Sequence, residues 1–155
     1  MGRGWKRTEV SLRHTAPVPY PTARETYVAN AEAAEREGMA AQVAPTLLRW
    51  LTPEIVAESP WYVRYLRERV IRAQVPNWAA AWRTLAGFDV ADRLGELRVP
   101  THLIAAEADG QATGPEVMKA LADRISQARF SVVAGAPHLS PLVKPHEVAT
   151  LLAHS

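Results

Sequence analysis

The chain of 155 residues contains no cysteine, so disulfides and thiolate metal sites are excluded. Lysine is scarce: Lys6, Lys119 and Lys144 are the only ones, and the basic charge is carried by arginine. The arginines are spread and interleaved with glutamate, as in "LRERVIR" at 66–72, which reads as a solvated, ion-paired helix face rather than a phosphate-tracking stripe. A nucleic-acid partner is therefore not expected, even with a sequence pI near 9.2. No apolar run reaches membrane-spanning length. The N-terminal "MGRGWKRTEVSLRH" has positive charge but neither an apolar h-region nor a small-residue cleavage site, so the cytoplasm is the expected location and no membrane partner is expected. Neither G-x-G-x-x-G nor G-x-x-x-x-G-K-[ST] occurs, and no cofactor is expected. What remains is an ordinary globular composition, 48% apolar and 22% charged with net charge +2, long enough for one domain with a modest core.

Punctuation residues divide the chain. Residues 9–12, "EVSL", alternate and predict a short strand. The three prolines of "TAPVPYPT" at 15–22 make that segment loop. Thr22 with Glu25 forms a capping box, so a helix starts there and stops near Gly38. A second helix covers about 39–51. Thr52 and Ser59 are start signals, each followed by proline at the first helical position. The helix from 60 to 74 places Val63, Leu66 and Val70 on one stripe. Pro76 opens another helix, ending at Gly87, and Asp89 caps one more turn. Residues 22–98 thus read as a helical region, after an N-terminal strand and loop at 1–21.

From 99 to 155 the texture changes. "THLIAA" (101–106) is a β-prone run leading into the polar loop "EADGQATG". A helix follows at 115–125, a second strand at 129–135, a histidine-bearing loop, and a final helix at 145–154. This βαβα order defines an α/β class and requires a parallel sheet with a crossover connection. In open parallel sheets, reactive groups gather at the carboxyl ends of the strands. Asp109 follows one strand and His138, in "GAPHLSP", follows the next. An acid and an imidazole on adjacent loops of one rim form the acid–base half of a nucleophilic triad. The structural alternatives are a helix-capping acid and an ordinary surface histidine.

"VPTHLIAAEADG", a helix ending "ALADRI", and "ARFSVVAGAPHLSPLVKP" together resemble the last third of the α/β-hydrolases. "EAAEREGMAA", "RWLTPE" and "WAAAWRTLAGFDVADRLGELRVPT" resemble the lid and lid exit of 3-oxoadipate enol-lactonases and close relatives, so the likeness runs from about residue 10 to 154. The resemblance implies an incomplete α/β-hydrolase fold, a helical lid followed by a C-terminal βαβα unit. It implies Asp109 as catalytic acid, His138 as catalytic base, and an ester or lactone as small-molecule substrate. Glu107 precedes the acid and does not match it. Trp50 matches a lid position facing the cleft, so it is a candidate substrate contact, with core or interface packing as the alternative.

The family's nucleophile sits in a G-x-S-x-G elbow. No serine here lies between two glycines at that spacing, and the oxyanion-hole segment is missing too. Ser140 stands two residues from His138, too close in sequence to meet the imidazole in line. The chain therefore reads as needing a nucleophile-bearing half. It is expected to self-associate or to take a partner chain, because its sheet would end at an unpaired edge. A non-catalytic binding or assembly protein, or a truncated product, is the other reading.

The remaining polar and aromatic residues read more simply. Trp61, Trp78 and Trp82 stand at helical spacing and suit packing. Arg64, Arg67, Arg69 and Arg72 suit a solvated face rather than a carboxylate site. His14, His102, His146 and His154 have no metal-ligand spacing, so no metal is expected, and His102 and His154 read as surface or satisfied positions.

Overall fold

A computed structural model of the chain describes residues 10–13, 21–110 and 113–153. Strand β1 (Val10–Arg13) leads to five helices: α1 (Pro21–Ala41), α2 (Val43–Trp50), α3 (Pro53–Glu58), α4 (Pro60–Ile71) and α5 (Val75–Gly87). A 3₁₀ turn (Ala91–Glu96) then precedes β2 (Thr101–Ala106), α6 (Pro115–Ala122), β3 (Ala128–Val133), α7 (Ser140–Val143) and α8 (Pro145–Ala153). The sheet order is β1-β2-β3 with both pairs parallel, and Ala106 lies opposite Val133, so β2 and β3 end level.

Successive side chains of β2 point to opposite faces of the sheet. Leu103 and Ala105 face Met118, Leu121 and Ala122 of α6 and Ile125 just beyond it. Ile104 and Ala106 face the other way, toward Val133, Ala136 and Val148 of α8. All six residues of β2 are buried, as a strand covered on both faces requires. His102 fits this pattern as a satisfied core residue: its Nε2 lies 2.9 Å from Ser131 Oγ on the neighbouring strand. His14 and His154 lie outside the described residues.

In the helical region, α1 packs along α5, and Arg83 clasps Glu35 through two hydrogen bonds of 2.7 Å each. The stripe on α4 buries Leu66 and Val70, while Arg64, Arg67, Arg69 and Arg72 stay exposed. Thr52 caps α3, accepting from Ile55 N at 3.4 Å. Asp89 accepts from Ala91 N at 3.0 Å. Ser59 does not cap α4: its backbone, at φ −123° and ψ 74°, makes no side-chain cap bond, and Pro60 alone marks the start. Helix α1 begins at Pro21, one residue before the expected start, and the capping-box threonine's side chain lies outside the described ones.

Gly38 breaks α1 where the sequence predicts a stop, with φ 75° and ψ 174°. Nothing lies within 4 Å of where a Cβ would stand, so the position is demanded by backbone angle and not by crowding. Gly38→Ala is expected to destabilise the chain by about 1–3 kcal/mol, measured as a lower urea midpoint at unchanged slope.

Candidate active site

The loops after β2 and β3 leave the same rim and are stitched together by backbone bonds. Glu107 N donates to Val133 O at 3.1 Å and Ala108 N to Ala136 O at 2.8 Å. Gly135, at φ 61°, donates its N–H to Glu107 Oε2 at 2.7 Å. Glu107 thus holds the histidine loop against the acid loop. Asp109 closes its own turn by donating N–H to Ala106 O at 3.2 Å.

These ties bring Asp109 Oδ2 to 2.9 Å from His138 Nδ1. The acid's side chain is wholly enclosed, while the imidazole retains 23% exposure. A dry carboxylate beside a reachable imidazole is the arrangement that orients a base and stabilises its cation. Thr113 Oγ1 also donates to Asp109 Oδ2, at 2.7 Å, and lies 3.5 Å from His138 Nδ1. Sequence reasoning missed Thr113: standing just before Gly114-Pro115, it looks like a helix-start residue.

The helical region closes on the same rim. Leu139 N, next to the histidine, donates to Trp50 O at 3.2 Å. Tyr62 OH donates to Leu142 O at 3.3 Å. Leu139, Leu142 and Val143 pack into the cluster of Leu47, Leu51 and Leu66. Helix α7, which carries these contacts, was not foreseen. It buries Ser140 completely. Trp50 is half-buried against Trp78, with ring centres 6.4 Å apart, and it contributes to both clusters of the helical region. Trp78 and Trp82 meet edge to face at 6.3 Å, as their spacing predicts, whereas Trp61 is 61% exposed and stacks on Tyr65.

Two further groups mark the interior of the lid. Arg49 donates to Asn30 Oδ1 at 3.3 Å and Thr46 Oγ1 at 2.9 Å and lies 5.2 Å from the centre of the Trp82 ring; burial pulls its pKa below the usual arginine value. Tyr27, 5.3 Å from Trp82, has its phenol pushed above the ordinary 10.0, first by burial and then by the charge of Asp109. The native state therefore holds this proton more tightly than the unfolded chain does. The associated stability is complete below the ordinary value and is lost as pH rises through the raised one. Alkaline titration of phenol absorbance is expected to show a late component that Tyr27→Phe removes and Asp109→Asn brings partway down.

Among the described residues no group of His, Asp and Glu could hold a metal ion, and no helix is long and apolar enough to cross a membrane.

A parallel sheet with a helical insertion before its last two strands, and an Asp–His pair on the final two loops, defines the lid and C-terminal portion of an α/β-hydrolase fold. The particular relatives agree. The chain is 31% identical over 121 residues to 3-oxoadipate enol-lactonase 1 of Acinetobacter baylyi, covering 77% of this chain and 44% of that protein. A thermophilic esterase from Thermogutta terrifontis superposes with TM-score 0.83 at 28% identity, covering 95% of this chain and 54% of its own. The enol-lactonase of Burkholderia xenovorans LB400 shares the fold with TM-score 0.85 at 23% identity, covering 94% and 55%. The chain thus spans about half the length of the proteins it matches. No family model matches the sequence.

Proposed function

We propose that this chain supplies the lid and the acid–base half of a Ser-His-Asp hydrolase acting on carboxylic ester or lactone bonds. His138 takes the proton of an attacking serine and then delivers it to the leaving oxygen. Asp109 orients the imidazole and stabilises its cation. Trp50 forms part of the wall against which the acyl or lactone portion rests. The serine comes from a polypeptide segment beyond these 155 residues that pairs along the outer edge of β1, where the described residues provide no further strand. The same unpaired edge makes self-association of the chain alone the expected behaviour in sedimentation. The observation that carries the reading is the 2.9 Å contact between a fully enclosed carboxylate and a partly open imidazole.

The test is complementation. The chain is produced together with the preceding, elbow-bearing half of the Burkholderia enol-lactonase and assayed on a p-nitrophenyl ester. Turnover by the mixture alone, with a fluorophosphonate probe labelling the elbow serine, is the expected result. A folded complex without turnover, or labelling of Ser140, would count against the reading. A non-catalytic binding role is favoured by one fact: no G-x-S-x-G occurs in the 155 residues. That role predicts a folded complex, or a folded self-assembly, that neither turns over ester nor reacts with the probe.

A further inference from the structure

We propose that Thr113 is a positioning residue of the Asp109–His138 pair. Its hydroxyl fixes the carboxylate and thereby selects the imidazole tautomer with the proton on Nδ1 and the lone pair on Nε2. The inference rests on the acid–base reading above and names a residue on which that reading depends.

The argument starts from proton counting. A threonine hydroxyl has one proton to give, and an ionised carboxylate only accepts. Thr113 Oγ1 stands 2.7 Å from Asp109 Oδ2 and 3.5 Å from His138 Nδ1, so the proton goes to the carboxylate. Were it given to Nδ1 instead, that nitrogen would have to be bare. Two lone pairs would then face each other across the 2.9 Å between Nδ1 and Oδ2. The acceptor-only carboxylate demands a proton on Nδ1, and the hydroxyl committed to Oδ2 holds the carboxylate where it makes that demand. The tautomer is set by the hydrogen bond made at the other nitrogen, and Nε2 is left as the base.

The hydroxyl is placed for this by burial and by the start of α6. Thr113 is buried and immediately precedes Gly114, whose carbonyl accepts from Met118 N at 3.0 Å at the start of α6. Met118 is fully buried against β2. Asp109 is therefore gripped from two sides. Its backbone is tied to the end of β2, and its carboxylate is tied to the start of the helix packed on that strand. Terminal rotation of an aspartate carboxylate is otherwise soft. Removing the hydroxyl takes away this tie between the carboxylate and the start of α6.

Long-range proton–nitrogen NMR of the full chain, recorded with the ring neutral, reads the tautomer of His138 with no nucleophile present. The native chain and Thr113→Ser are expected to show Nδ1–H, and Thr113→Val a mixture with Nε2–H. Adding Thr113→Val to Asp109→Asn should leave the tautomer ratio of Asp109→Asn unmoved, since the hydroxyl acts through the carboxylate. A folded Thr113→Val chain that keeps the native tautomer overturns the assignment and leaves the proposed function standing. A native chain in the Nε2–H form overturns the acid–base reading itself. Should the valine variant not fold, the native chain alone decides. A slowly exchanging Thr113 hydroxyl proton is required, and its absence rejects the proposal. In the complemented enzyme, Thr113→Val should lower kcat about tenfold with KM held, and Thr113→Ser should restore it.

Discussion

His138→Ala is expected to abolish whatever ester turnover complementation yields, a loss of about 10⁴-fold or more in kcat, with KM little changed. The size follows from the role proposed for the ring. Without it the serine proton would have no acceptor in the site and the leaving oxygen no donor. The other groups of a triad act as a unit that one deletion disables. Asp109→Asn is the sharper experiment. It keeps the size and the enclosed position of the side chain, whose oxygen stands 2.9 Å from Nδ1. It also replaces an acceptor-only group by one that can present N–H to the ring, which favours the wrong tautomer. A loss on the order of 10³- to 10⁴-fold is expected, with the fold intact by circular dichroism. Steady-state kinetics on a p-nitrophenyl ester measure both. Full activity in folded His138→Ala would sink the proposed mechanism.

Leu103→Ala is expected to cost about 3 kcal/mol, seen as a fall in the urea midpoint. Leu103 is 1% exposed at the centre of β2 and packs against Leu94, Met118, Leu121 and Ile125. Its neighbours lie on the 3₁₀ turn, on α6 and on the segment just after it and cannot all close on the void, so the penalty includes a cavity as well as lost transfer energy. Against a total stability of about 5–15 kcal/mol this is a large share. Leu48 provides the control: it is 63% exposed, and Leu48→Ala should change the unfolding free energy by less than about 0.5 kcal/mol. Because β2 delivers Asp109 and its partner strand delivers His138, Leu103→Ala should also loosen the site below its own melting temperature. Broadening of the His138 ring signals would report that loosening.

The sequence made the rim legible because local signals and tertiary placement agree there. Pro100 and Gly110 bracket "THLIAA", and the β-prone run between them became a strand of those same residues, Thr101–Ala106. Two polar loops on consecutive parallel strands must leave from one edge, so the meeting of Asp109 and His138 follows from topology. The exposed arginines of α4 were equally plain, since helical spacing puts them opposite Leu66 and Val70. What stayed hidden depends on contacts between distant segments. Tyr27 feels Asp109 only because the lid folds back over the rim. Thr113 carries a side-chain bond that no spacing rule encodes. Ser59 looked like a cap, but its backbone angles turn the hydroxyl away from that duty. Helix α7 is four residues long, too short for any periodicity to declare it.

The hydrogen bond from Leu139 to the carbonyl of Trp50, with the apolar cluster beneath it, has a consequence for how such proteins diversify. The part that would choose a ligand and the part that would handle its protons are fastened to each other within a single stretch of chain. Exchange of this stretch between relatives would transplant preference and proton chemistry together, with the fit between them already made. The joint left to adapt would be the one along β1, where backbone pairing asks little of side-chain identity.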